Sequence, residues 1–323
     1  MANIIYTNLF EKVDLFNKLK SEGRIVQTPY RDKSSENSYC FKVGDNIHPS
    51  KTKEYKKLLL QTIKENFGIT NSSFDEKFRQ VINGAGQEWK TINVFHSSSL
   101  LCLLCFYNVS EQNPLDITID GKVCRFTVSE FEVPNEIGKN KRGKNYYSHI
   151  DVKLSGECGG KSVALYLESK FSEYINQRGK QEFTFTKEYD SIYSKLQGKI
   201  DNLSINGLNE NEKISLVQTG KSSPARYWQG IKQMVSHYLG MKNCNDTSDI
   251  IYLGEILYDF RPFIYIPHDY FGDYEKMHQQ LVKALEEIET EPQRFKVGKN
   301  ILTYQGIFKN HKLDERVREL YNL

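Results

Sequence analysis

Apolar positions recur at helical spacing over residues 5–21, 50–67 and 74–83, predicting three helices. Pro49 and Gly68 bound the second of these, and its mixed Lys and Glu residues read as a solvated face. Arg31 to Asn37 (RDKSSEN) is expected to be a polar loop. Gly84-Ala-Gly86 breaks the third helix, and a short segment around Gln87-Glu88-Trp89 follows. Ser97, Ser98 and Ser99 then offer capping hydroxyls to LLCLLCFY (100–107), which is apolar all round, as a helix buried on most sides would be.

The period then changes. Residues 115–120 and 122–133 read as strands, joined by an Asp120-Gly121 turn. A basic stretch, Gly138 to Asn145 (GKNKRGKN), leads into a strand over Tyr147–Leu154, and Gly156–Gly160 turns the chain into another over Val163–Phe171. Residues 187–199 read as a helix and 201–213 as an Asn-rich loop. Ser223–Gly240 reads as a helix, with Ser at the cap, Pro at the first position and Gly past its end. Ile250–Tyr258 is a further strand and 274–290 a further helix. The span from about 96 to 258 is expected to hold an α-β-β-β-α-β core, an α/β arrangement with a mixed central sheet. Residues 1–84 read as an N-terminal helical region, 85–260 as the core and 261–323 as an extension packed on it.

Composition narrows the classes. With 38% hydrophobic and 26% charged residues the chain is no disordered polymer. A net charge of +3, from 44 bases and 41 acids, excludes a protein that grips nucleic acid by bulk charge. The 12% aromatic content is assigned mainly to the core. No apolar run approaches the ~18 residues of a membrane span, and the N-terminus has no apolar leader segment. The expectation is a cytoplasmic chain with no membrane partner. Its six cysteines are expected to be reduced, Cys102 and Cys105 as buried core thiols.

Two strands place charge where burial should exclude it. Period two sets His149, Asp151 and Lys153 on one face of the first, and Tyr166, Glu168 and Lys170 on one face of the second. If the strands pair, two carboxylates and an ammonium converge. Two such carboxylates suit Mg²⁺, which can polarise a phosphodiester oxygen and acidify a bound water. A lysine beside them can orient that water or stabilise charge in the transition state. The alternative is a cross-strand ion-pair cluster on a solvent-facing sheet, contributing about 0.2–1 kcal/mol per pair. Among the [DE]xK strings, Glu54-Tyr-Lys56 and Asp75-Glu-Lys77 fall on predicted helix surfaces, and Asp151-Val-Lys153 supplies the lone Asp. Glu168-Ser-Lys170 alone follows an apolar strand with an acidic strand upstream.

Asp151 followed by Glu168-Ser-Lys170 on adjacent strands, with YLESKFSEY (166–174) around the second acid, resembles the PD-(D/E)xK nuclease superfamily. The resemblance covers about 85–260 and implies a restriction-endonuclease-like fold and a DNA endonuclease. It makes Asp151 and Glu168 ligands of Mg²⁺, with Mn²⁺ able to substitute, and Lys170 the catalytic lysine. It adds Glu88 as a third metal ligand, with Glu132 second in line, and Gln229 of Arg226-Tyr227-Trp228-Gln229 as a helix-borne supporting residue. His149-Ile150 stand where the family name has Pro. His149 reads either as a supporting or phosphate-binding group or as a polar residue at a strand end. Gln233 is expected to face solvent. Glu173 is expected to pair with a lysine rather than close the site, and Glu88 reads equally as a helix-end charge. Lys139, Lys141, Arg142 and Lys144 read as phosphate contacts or as a solvated loop. Paired sites on a homodimer would suit cutting of both strands. The rival class is a nucleic-acid- or protein-binding module on the same fold that does not cut.

Overall fold

The computed structural model describes residues 9–30, 33–44, 50–84, 91–139, 143–175, 183–186, 189–200, 203–208, 213–218, 226–266 and 268–323. The elements are α1 (Asp14–Ser21), β1 (Ile25–Tyr30), β2 (Lys33–Phe41), α2 (Lys53–Phe67), α3 (Ser73–Asn83), α4 (Ser98–Phe106), β3 (Leu115–Ile119), β4 (Lys122–Lys139), β5 (Asn145–Cys158) and β6 (Lys161–Lys170). After these come β7 (Phe183–Thr186), α5 (Asp190–Leu196), β8 (Leu203–Leu208), β9 (Lys213–Gln218), α6 (Arg226–Asn243) and β10 (Ile250–Leu257). The chain ends with α7 (Tyr270–Ile288), β11 (Phe295–Val297), β12 (Leu302–Thr303), α8 (Tyr304–Phe308) and α9 (Glu315–Tyr321).

Among the described residues the central sheet has seven strands, in the order β11-β10-β6-β5-β4-β3, with β12 also on β10. Strands β3 to β6 are joined antiparallel, while β6, β11 and β12 pair parallel with β10. This is the mixed α/β sheet of a restriction-endonuclease-like fold. The Asp120-Gly121 turn has both φ angles positive, 51° and 75°, as a tight hairpin between right-twisted strands requires.

The sheet is covered on both faces. Ser97 caps α4, its hydroxyl accepting from Leu100 N at 3.3 Å, and Leu100–Phe106 are buried throughout. The Ser169 hydroxyl donates to Ser98 O at the start of α4, while the neighbouring Glu168 meets His237 of α6. Successive residues of β6 therefore touch helices on opposite faces, and Val163–Lys170 are all buried. A solvent-facing ion-pair cluster is thereby excluded for Glu168 and Lys170. Aromatic rings fill the core: Phe10 meets Phe16, Phe95 and Phe171, and Phe171 in turn meets Tyr258 and Tyr321.

Several local expectations are corrected. Residues 33–37 of the expected polar loop lie in β2, paired antiparallel with β1, because ladder hydrogen bonds satisfy a backbone whatever its side chains. The Asn-rich stretch holds β8, in a separate sheet of order β7-β9-β8. Helix α6 does not stop at Gly240 but runs to Asn243. A Cβ there would lie 2.5 Å from Ser148 Oγ, so the glycine permits close helix–strand approach. The cysteines are not all thiols: Cys124 of β4 and Cys158 of β5 form a disulfide, because the paired strands bring their Cα atoms to 4.3 Å. Cys102 and Cys105 are buried thiols, as expected. No helix among the described residues is long and apolar enough to cross a membrane.

Candidate active site

The site begins where two strands part. Pairing of β5 with β6 ends at Val152–Leu167, while β4 and β5 stay paired to Lys139–Asn145. Asp151 is the first residue beyond the parting. Its carboxylate accepts the Ser169 backbone N–H at 2.7 Å, occupying a donor that a continued ladder would have used. Asp151 thus sits beside Glu168, as strand pairing requires.

Glu168 is 3% exposed and Lys170 6%. The Lys170 ammonium donates to Glu168 Oε1 and, at 2.9 Å, to Gln233 Oε1. Gln233 Nε2 donates to the same Glu168 oxygen at 2.7 Å, and His237 Nε2 donates to Glu168 Oε2 at 2.9 Å. Since a carboxylate can only accept, Nε2 of His237 carries the proton. Its Nδ1 is buried without a hydrogen-bond partner among the described residues.

These contacts set the charges. Burial pushes the Glu168 carboxyl up, but the neighbouring Lys170 charge and the His237 imidazole outweigh it and lower it to about 2. Burial likewise works against the Lys170 charge, and Glu168, Glu173 and Asp151 together outweigh it, so its pKa is raised. Lys170 is therefore an ammonium across the physiological range. The linkage has a definite sign. The contribution of Glu168 to stability is complete above about pH 4.5 and is lost as pH falls towards 2. Denaturant titrations between pH 5 and 2 should show Glu168→Gln losing less stability over that window than wild type.

Strand register extends the row. Phe131–Val152 and Val133–Ile150 bracket Glu132 opposite Asp151, and Glu255 of β10 is the register partner of Glu168. Glu132, Asp151, Glu168 and Glu255 thus stand in one row across four strands. Glu132 has a left-handed φ of 51°, and its carboxylate lies against Gly84, where a Cβ would come 2.7 Å from Oε2. His149 Nδ1 lies 3.4 Å from the Glu132 carbonyl oxygen. Glu255 is 1% exposed; Tyr274 donates to its Oε1 at 2.5 Å and His278 Nδ1 to its Oε2 at 2.6 Å. His278 Nε2 faces Gly298 O at 2.8 Å, so both ring nitrogens meet acceptors and the ring is an imidazolium. Its pKa is raised: burial opposes the charge, and Glu255 outweighs burial.

Lys153 shares the Asp151 face but is held by Asp246 at 2.7 Å and Glu130 at 3.5 Å. The overlapping Asp151-Val-Lys153 string is therefore not a second site. Glu173 accepts the backbone N–H groups of Phe171 and Ser172 at 2.7 and 2.9 Å, fixing the chain as it leaves β6, and its charge also favours the Lys170 ammonium. Gln233, expected in solvent, lies at the centre of the cluster because α6 buries a broad face. Glu88, Lys141 and Arg142 lie outside the described residues, as does the side chain of Gln229. Lys139 and Lys144 are exposed at the end of the β4–β5 hairpin.

His237 and Glu255 were not anticipated from the sequence. For His237 the available signal was its i, i+4 spacing from Gln233; for Glu255 it was one acid in an otherwise apolar strand, IIYLGEIL. Among the described residues no three His, Cys, Asp or Glu side chains group as a metal site, so Glu132 does not complete such a set with Asp151 and Glu168. A hard cation such as Mg²⁺ uses only one or two protein carboxylates and keeps its waters, a number that Asp151 and Glu168 supply.

Neither the curated proteins nor the solved structures contain a match to the chain. A family model described as "Restriction Endonuclease associating with ARP" matches residues 25–245, a span that includes β4, β5, β6 and all but the acid row's last member. With more than half of its 323 residues matched, the chain belongs to this restriction-endonuclease-associated family and carries a nuclease-like module.

Proposed function

We propose that the protein is a Mg²⁺-dependent endonuclease that hydrolyses DNA phosphodiester bonds, of the PD-(D/E)xK type. The observation that carries this reading is the buried Glu168–Lys170 pair beside Asp151, at the point where β5 parts from β6. A buried ion pair is a poor source of stability, since desolvation offsets much of its attraction, so its place on a buried strand calls for another reason. Asp151 and Glu168 would hold the cation, and Glu88 is retained as the proposed third ligand. When bound, the cation supplies Lewis-acid polarisation of the phosphate and acidification of water.

The residues of the chain do the rest. Lys170 keeps its proton, so it serves as a donor and positive charge toward a phosphate oxygen rather than as a base. Gln233 bridges Glu168 and Lys170 and holds both in place; His237 fixes the second Glu168 oxygen. One feature favours a second reading, the non-cutting binding module: the Glu168 carboxylate is already satisfied by three side-chain donors. Plasmid nicking in Mg²⁺ or Mn²⁺ against EDTA separates the two. Cleavage that requires metal is expected. If no DNA or RNA substrate is cut and calorimetry detects no metal binding, the endonuclease reading fails and the binding module replaces it.

A further inference from the structure

Asp151 owes its place to a residue of the neighbouring strand. Past Val152–Leu167 no ladder ties β5 to β6, and the Ser169 N–H reaches across the gap to Asp151 Oδ2. Where that carboxylate stands therefore depends on where Ser169 is held. Strand β10 holds the backbone from one side, with Ile256 as the register partner of Ser169. The side chain holds it from the α4 face of the sheet. Ser169 Oγ donates to Ser98 O at 3.3 Å and lies 2.7 Å from the Tyr304 hydroxyl. A serine hydroxyl has one proton, and Ser98 O takes it, so Tyr304 is the donor of the second bond.

Tyr304 is itself firmly mounted. It is fully buried, with its ring against Phe106 and Phe308. It opens α8, which Thr303 caps by accepting the Gly306 N–H at 3.1 Å. Thr303 is the register partner of Leu257 in β10, and Leu257 is that of Lys170. The path from Lys170 through β10 to α8 thus returns to Ser169, and the tyrosyl hydroxyl closes it. Residues 302–308 lie outside the span matched by the family model, so the C-terminal segment supplies this support.

Packing alone does not call for the two hydroxyls. Replacing both members of a buried hydrogen bond by apolar groups of like shape is close to neutral for stability. What the pair adds is a fixed position for the residue whose N–H holds Asp151. We infer that Tyr304 is a positioning residue for the metal site: through Ser169 it sets the place of Asp151 from the opposite face of the sheet. The inference rests on Asp151 being a ligand of the cation, as proposed above, and adds a residue of the C-terminal segment to that site.

Two measurements on the full-length protein test it, neither of them cleavage: Mn²⁺ affinity by titration calorimetry, and amide hydrogen exchange at Ser169 by NMR. Tyr304→Phe should weaken Mn²⁺ binding about ten-fold, the lower end of what outer support of a metal ligand contributes. It should also speed exchange at Ser169. Tyr304→Phe/Ser169→Ala should weaken Mn²⁺ binding at least as much, while its urea midpoint stays close to wild type. As a control, Tyr107→Phe removes a buried tyrosyl hydroxyl from Asp314. It should lower the urea midpoint and leave Mn²⁺ affinity and Ser169 exchange unchanged.

Tyr304 variants that lose stability but bind Mn²⁺ like wild type would make Tyr304 a packing residue and overturn the role. Weaker Mn²⁺ binding with unchanged exchange at Ser169 would overturn it too, because the effect would not run through that amide. An equal loss of Mn²⁺ affinity in Tyr107→Phe would reduce the effect to general destabilisation. In each of these cases wild type still binds Mn²⁺ and only the positioning role is wrong. If wild type binds no Mn²⁺, the metal-site reading falls and the inference with it.

Discussion

Lys170→Met is expected to abolish metal-dependent cleavage, a loss of at least about 10²–10³-fold, and also to destabilise the protein by about 3–5 kcal/mol. The two effects share a cause. Among the described residues Lys170 is the one cationic side chain on Glu168 Oε1, and removing it leaves there a carboxylate buried to 3% exposure with Gln233 and His237 as its donors. Adding Glu168→Gln removes the orphaned charge, so the double variant should regain most of the lost stability and none of the activity. Urea denaturation followed by circular dichroism, beside a plasmid-nicking assay, reads both. A single variant that cuts like wild type would mean that Lys170 plays no part in the chemistry. A double variant no more stable than the single would mean that the orphaned charge is not the cause.

His278→Ala should cost a similar amount, about 3–5 kcal/mol, without touching the proposed chemistry directly. It strips Glu255 of its imidazolium and leaves Gly298 O without its donor. The pH dependence of wild type should carry the signature of this pair. Because the His278 pKa is raised above 6.5, its contribution is complete below about pH 6.5 and fades as pH rises through the folded value. The variant should lack that alkaline decline while keeping the acid-side loss that belongs to Glu168. Identical pH–stability curves for the two proteins would show that His278 is not charged in the fold.

Much of the core was legible in the chain. The Asp120-Gly121 turn and the Ser97 cap follow from local pattern, and the structure has both. The expected α-β-β-β-α-β order is exceeded, since four strands of the central sheet follow α4, and a separate three-stranded sheet with α5 comes before α6 and β10. Where local pattern failed, a tertiary contact had overridden it. Gly240 looked like a helix stop but is a point of close approach to Ser148, and a polar stretch became β2 because β1 lay beside it. The disulfide joins cysteines 34 positions apart, which only the pairing of β4 with β5 brings within reach.

The chemistry divides in the same way. Alternation along two short strands was enough to put Asp151, Glu168 and Lys170 on one side of a sheet, because strand period is a local property of the backbone. Which helix covers that side is not local. It depends on how α6 and α7 pack across strands far apart in sequence, and their packing brought Gln233 and His237 to Glu168, and Tyr274 and His278 to Glu255. The parallel register of β10 on β6 placed Glu255 beside Glu168 across 87 positions of sequence. Periodicity therefore located the charges, and burial between two layers of helices made them a tightly coupled cluster rather than a solvated surface.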